Sequence, residues 1–263
     1  MDPRFTFSTT SLHQAALMGN LQVLKMVLQT GLQSVDSQDA KGCTPLHYAT
    51  LQGNPELVSV LLKQGANTSI KNADGCTPVH LACQQGELDT LSLFLYYRAD
   101  LSVRNKAGKT AFDLACEYGR TKIVELLLNS GFSKQFLFFP LFPLKAVDGG
   151  GDLRQATFVK RNRQEFTGFH LAARNGHLEI LGVLMEAGWD LNRATTAGSA
   201  LHEATAFGQV EAVRLLLHAG ADASLTNCFG QTATDVTKKN SAKFPSCAKE
   251  IRSLIRGLYY RCM

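Results

Sequence analysis

"CTPLHYATLQGNPELVSVLLKQGANTSIKNADG" (43–75) is followed at once by "CTPVHLACQQGELDTLSLFLYYRADLSVRNKAG" (76–108). The two stretches align without a gap. His47 and His80, and then Asp113 in "KTAFDLACEYGRTKIVELLLNSG" from 109, therefore fall 33 residues apart. An internal period of this length marks a stack of small units, none of which can bury its own apolar face alone. Working outward, "TSLHQAALMGNLQVLKMVLQTG" (10–31) opens the series. "TGFHLAARNGHLEILGVLMEAGWDLNRATTAG" (167–198) and "SALHEATAFGQVEAVRLLLHAGADASLTNCFG" (199–230) continue it, and "QTATDV" at 231 begins a degenerate unit.

Each conserved-looking position within the period has a local physical reason. Thr44 and Thr77 suit the cap of a first helix, with Pro45 and Pro78 at its first position, where the missing N–H costs nothing. Gly53, Gly86, Gly119, Gly176 and Gly208 end that helix at a left-handed residue. A second helix follows with apolar spacing, as in Ile123, Leu126, Leu127 and in Val213, Leu216, Leu217. Gly65, Gly131, Gly188 and Gly220 stop it. At the far end of the chain, Ile251, Leu254, Ile255 and Leu258 line one helical face, with Lys249, Arg252 and Arg256 on the other. That pattern fits a terminal unit with a polar outer side.

These T-P-L-H and L-L-L-x-x-G-A-D elements resemble the ankyrin repeat. The order "GKTAFDLACEYGR", "HLAARNGH", "GSALHEATAFGQVEAVRLLL", "TATDV" and "KEIRSLI" resembles the N-terminal ankyrin array of Caskin-type scaffolds, and nearly as closely the ankyrin-plus-SAM adaptors. The resemblance implies an all-α fold: an ankyrin-repeat solenoid of about six helix-turn-helix repeats with hairpin loops and a C-terminal capping helix pair. It also implies SH3 and SAM domains in a longer form. Two departures stand out. Asp113 and Asp235 replace the motif His, and Gly168–Phe169 replaces Pro–Leu, which weakens the start of that helix.

The expected organisation is a lead (1–9), repeats one to four (10–132), an irregular insertion (133–166), repeats five and six (167–230), a degenerate capping repeat (231–258) and a tail (259–263). His170 follows Asp113 by 57 residues, not 33. The surplus contains "KQFLFFPLFPLKAVDGGG" (134–151), whose core from Phe136 to Leu144 holds only Phe, Leu and Pro. It is too short to span a bilayer, and Pro140 and Pro143 forbid a regular helix through it. Three readings stay open: a natural loop docked on the array, a disordered partner-binding segment, or a translated polypyrimidine tract from a retained intron or isoform. The loop-closure cost alone is small, about 0.6 kcal/mol per doubling of length.

Composition narrows the function classes. Net charge is +5, with +6 in 237–263 and +3 in 133–166, so the repeats themselves are mildly acidic. That argues against a nucleic-acid-binding body. No apolar run is long enough for a membrane helix, and the N-terminus lacks a secretory core. Seven Cys without a C-x-x-C pair read as reduced thiols in the cytosol. Catalytic chemistry is not spelled out either. His13, His47, His80, His170 and His202 recur with the repeat and read as structural residues bonding neighbouring loops, and none is paired at zinc-protease spacing. "AGKT" (107–110) lacks the first Gly of a phosphate-binding loop, Val103 standing there instead. Cys83 and Cys116 read as buried small apolar groups. Cys43 and Cys76 have no neighbour that would depress their pKa. No cofactor and no metal is expected.

The resemblance places recognition on the concave face, built from hairpin tips and the exposed side of each first helix. The family's variable positions carried over are Leu51, Gln52, Gln84, Gln85, Glu117, Tyr118, Arg174, Asn175, Ala206 and Phe207. Lys71, Asp74, Arg104 and Lys106 lie on the hairpin tips. Tyr118 and Phe207 are the expected anchors, because aromatics dominate interface hot spots. The expected function is a non-enzymatic, cytoplasmic interaction module, a scaffold or adaptor for a protein partner, monomeric in this form. The alternative is a substrate receptor of a ubiquitin ligase, but "RSLIRGLYYRCM" is too short and basic for a recruitment box. Ankyrin hairpins also resemble substrates of the asparaginyl hydroxylase where a Leu lies eight residues before a hairpin Asn. Leu184 and Asn192 meet that spacing. Whether Asn192 is a modification site or simply bonds within its own turn stays open at this point.

Overall fold

The computed structural model describes residues 11–130 and 167–259, with side chains of the last helix through Gly257. The lead, the whole insertion with its Phe/Leu/Pro core, the Leu258 side chain and residues 260–263 of the tail lie outside the described residues. Among the described residues, fourteen helices form seven antiparallel pairs and there is no strand. The first helices are α1 (Ser11–Leu17), α3 (Pro45–Leu51), α5 (Pro78–Gln85), α7 (Ala111–Glu117), α9 (Gly168–Asn175), α11 (Ala200–Ala206) and α13 (Ala233–Lys239). Their partners are α2 (Leu21–Thr30), α4 (Pro55–Lys63), α6 (Leu88–Tyr96), α8 (Thr121–Asn129), α10 (Leu178–Glu186), α12 (Val210–His218) and α14 (Pro245–Tyr259). First helices pack on first helices and second on second along the array, so the expected all-α solenoid is what forms.

The capping residues do what their chemistry allows. Thr44 and Thr77 are extended N-caps ahead of Pro45 and Pro78. The backbone N–H of Thr44 donates to His47 Nδ1 (3.0 Å), and His47 Nε2 meets the Cys76 carbonyl (3.1 Å). A carbonyl can only accept, so Nε2 carries the hydrogen and the ring is the neutral tautomer. His13, His80, His170 and His202 make the same long-range bond to carbonyls of Cys43, Lys109, Arg193 and Gln231. Each of these rings ties one helix to the hairpin that leads into the next repeat. Asp113 and Asp235 accept from Thr110 and Thr232 respectively and so cap their own helices.

The core runs the length of the array. Leu46, Ala49, Leu57, Leu61, Ala82, Cys83, Leu91 and Phe94 are buried in its first half, and Phe169, Ala172, Ile180, Leu184, Ala204, Val213 and Leu216 in its second. Ile251 and Ile255 of α14 close the far end, while Lys249 and Arg256 face solvent. One stop signal differs from the rest. Arg98 takes the place that Gly65, Gly188 and Gly220 hold after the other second helices, and it adopts the same left-handed conformation, φ 55°.

The array is continuous across residues 131–166. α7 packs directly on α9, and α8 on α10. Asn175 Nδ2 donates to the Glu117 carbonyl (2.8 Å), and His177 Nε2 meets the same oxygen (2.9 Å). The Gly168 N–H also reaches the Asp113 carboxylate. Trp189 stacks on Phe112 with ring centroids 5.6 Å apart. The Gly168 exception now has a reason: a Cβ there would lie 2.7 Å from Cys116 Sγ and 3.0 Å from Phe112 Cε1. The missing side chain makes room for the bulky Phe at a position where the repeats at 46 and 79 carry Leu and Val.

Candidate interaction face

Each hairpin tip stands beside the first helix that follows it, and side chains join the two. Tyr48 of α3 donates to Asp39 Oδ2 (2.6 Å), and Lys109 Nζ reaches both oxygens of Glu117 (2.6 Å). The tips are also laced to one another. Ala73 N–H donates to the Lys41 carbonyl (2.8 Å), Lys106 N–H to the Asp74 carbonyl (3.0 Å), and Cys228 N–H to the Thr196 carbonyl (3.3 Å). Gly75 is held at φ 74° at such a crossing, where a Cβ would lie 2.8 Å from Lys106 N. The result is a stiff edge rising beside a row of helix ends.

The candidate residues differ in their exposure and in the side chains they meet. Leu51, Gln52, Gln85, Asn175, Lys71, Asp74, Arg104 and Lys106 are exposed, and Gln84 is half-buried. Tyr118 follows α7 and Phe207 follows α11; they are 47% and 45% exposed. Glu117 is already in an ion pair with Lys109. Arg174 is engaged: its Nε bonds Glu203 Oε2 at 2.8 Å, and its guanidinium lies 4.8 Å over the Phe207 ring. Glu203, absent from the sequence reading, is only 4% exposed. Burial pushes its carboxyl up, and Arg174 opposes that. The signal that could have found it is a Glu one residue after the motif His, on a side of the helix where Tyr48 and Leu81 stand in earlier repeats.

Beyond Phe207 the face forms a groove. Thr196, Ala197, Glu203, Ala206, Phe229 and Lys239 are among the residues that line it. Small side chains on the tip at 194–197 leave it open, and Phe229 is strongly exposed on the next tip.

The residues set aside as structural behave so. Burial lowers the pKa of His47, His80 and His202, and brings His170 down to about 4. Cys43, Cys76, Cys83 and Cys116 are buried, and burial raises each thiol. Among the described residues no group of His, Cys, Asp or Glu is placed to hold a metal ion, and no helix is long and apolar enough to cross a membrane. Asn192 is exposed, but its partner is not in its own turn. Its Oδ1 accepts from the Asp222 N–H of the next hairpin (2.9 Å), so the side chain links two repeats.

The family model for ankyrin repeats matches three times, over residues 1–72, 52–136 and 149–227. Protein phosphatase 1 regulatory subunit 12A of Mus musculus is 36% identical over 83 residues, 31% of this chain and 8% of that protein. Ankyrin repeat domain-containing protein 37 of Homo sapiens is 38% identical over 86 residues, 32% of this chain and 53% of that one. Caskin-2 of Homo sapiens is 38% identical over 90 residues, 34% of this chain and 7% of that protein. The matched segments thus span about half or less of these relatives. Among solved structures, the ankyrin repeat domain of Bcl-3 superposes with a TM-score of 0.65 at 29% identity, covering 87% of this chain and 93% of that one. The human ASB11 ankyrin repeat domain, at 21% identity, shares the fold with a TM-score of 0.69 over 94% and 98% of the two chains. With the repeat motif, the helix pairs and these matches agreeing, the chain belongs to the ankyrin-repeat family, whose fold is generally a protein–protein interaction module.

Proposed function

We propose that this chain is a non-enzymatic scaffold or adaptor that recruits a protein partner along its hairpin tips and first-helix ends, in the cytoplasm. The observation that carries the reading is the pair Tyr118 and Phe207. Both are large aromatics, half exposed, at equivalent helix ends two repeats apart on a stiff array. An aromatic fixed at a helix end loses little further entropy on binding, which is why such residues serve as anchors. Leu51, Gln52, Gln84, Gln85 and Asn175 complete the same row, and Asp74 lies on the tip beside it. Arg174 supports the Phe207 ring from one side, and Glu117 is fixed by Lys109.

The test is affinity capture with the full chain, comparing Tyr118→Ala/Phe207→Ala with a second-helix control, Tyr96→Ser. The reading expects partners held by the wild type and the control to be lost from the double variant, with unfolding curves unchanged. Equal capture by all three proteins would remove the face from the account. Asn192 is proposed as a modification site of secondary importance, and mass spectrometry of the tryptic peptide that ends at Arg193 checks it.

A further inference from the structure

The cations of the hairpin tips are not distributed evenly. Lys41, Lys71, Arg104 and Lys106 are all exposed, on three consecutive tips in the first half of the array. None of the four has a carboxylate within ion-pair distance among the described residues. Their partners are carbonyls. Lys71 Nζ donates to the Arg104 carbonyl (3.1 Å), and Arg104 Nη1 to the Gly108 carbonyl (2.6 Å). Such bonds hold two of the side chains in place and leave the charge unneutralised. Two carboxylates share these tips. Asp39 already accepts from Tyr48 and from the N–H groups of Lys41 and Cys43. Asp74 is exposed and lies among the cations. On the described tips beyond the insertion, 194–198 and 226–230, there is no charged side chain. There the face offers Phe207, Phe229 and the groove. The repeats as a whole are mildly acidic, so the positive edge is a local arrangement and not a bulk excess.

Resting on the proposed function, we infer that the partner presents an extended acidic segment whose carboxylates lie along Lys71, Arg104 and Lys106 and whose apolar side chain seats beside Phe207. Charge complementarity selects the sign of the ligand and speeds its approach. The length follows from the packing. Three first-helix spacings separate α5 from α11, about 8–10 Å each, and an extended chain rises about 3.3 Å per residue. The segment therefore spans about nine residues.

Fluorescence anisotropy with three synthetic peptides of about 12 residues tests this. The first carries a run of Glu and one Leu anchor, the second replaces Glu by Lys, and the third keeps Glu but replaces Leu by Gly. The proteins are the full wild-type chain, Lys71→Glu/Arg104→Glu/Lys106→Glu, and a control with the same charge change on second helices, Lys25→Glu/Lys63→Glu/Lys122→Glu. The expected result is binding of the first peptide that weakens about tenfold or more in the tip variant and less than about twofold in the control, with a clear loss in raised salt. The Lys peptide should not bind. Equal weakening in both variants, or binding of the Lys peptide, overturns the acidic-segment inference. Absence of any binding by the first peptide overturns it too. A single-stranded oligothymidine binding as tightly as the first peptide would reduce the edge to a general polyanion surface and also overturns it. The proposed function is judged separately: it survives any of these if Tyr118→Ala/Phe207→Ala still abolishes partner capture, and falls if it does not.

Discussion

A repeat protein tolerates exceptions only where a residue's own geometry allows it, and Arg98 is an instructive case. It holds a left-handed backbone, φ 55°, at the end of α6, where the corresponding described repeats use Gly. A residue with a Cβ is strained there by about 1 kcal/mol or more. Arg98→Gly should therefore raise stability by about 0.5–1 kcal/mol, the strain relief being partly offset by the freedom Gly regains on unfolding. A urea titration checks it, and a destabilised variant would mean that the Arg side chain contributes contacts of its own. His47, His80, His170 and His202 carry a second residue-scale consequence. Their folded pKa values are lowered by burial, so the unfolded chain takes up those protons first. Their contribution is fully present above the ordinary value near 6.5 and is lost as the pH falls toward the lowered values, about 4 for His170. Asp113 and Glu203, raised by burial, run the other way and soften the loss at the acid end. Stability should drop by about 2 kcal/mol or more between pH 7 and pH 5. A midpoint that stays flat or rises over that range would contradict the neutral-ring assignment.

At the scale of elements, the period made much of the fold legible. Thr, Pro and Gly at fixed offsets gave both helices of each unit, because capping and left-handed termination are local demands. The His ladder was legible for the same reason, each ring reaching one period ahead. What the period could not reveal are contacts made by residues that break it. Gly168 reads as a weak helix start, yet its absent side chain lets α9 close on Phe112 and Cys116. Gly168→Ala should cost about 1–3 kcal/mol, the usual penalty for overpacking. Adding Cys116→Ala should recover part of it, because the shared contact is removed. A double variant as unstable as the sum of the two singles would place the strain elsewhere. The recognition row was legible in the same limited way. Repeat register led to Arg174 and Phe207 as separate positions, but side-chain reach decides that Arg174 joins Glu203 and lies over Phe207.

For the whole molecule, the surplus between Asp113 and His170 raises the question of one array or two. The two helices either side of it meet as neighbours do elsewhere, through Asn175 and His177 on Glu117 and through Trp189 on Phe112. A binding face that runs from Lys71 to Phe207 depends on this junction. Trp189 is the chain's only Trp, and it sits at the junction. Its fluorescence therefore reports the seam, while far-UV circular dichroism reports all helices. The measurement that tests the account most directly is equilibrium urea unfolding of the full chain followed by both signals. A continuous array predicts one transition, with the Trp189 change and the loss of helix at the same midpoint. Two helix-loss steps, with Trp189 following only one of them, would mean that the halves before and after the insertion fold as separate bodies, and the continuous face would not exist.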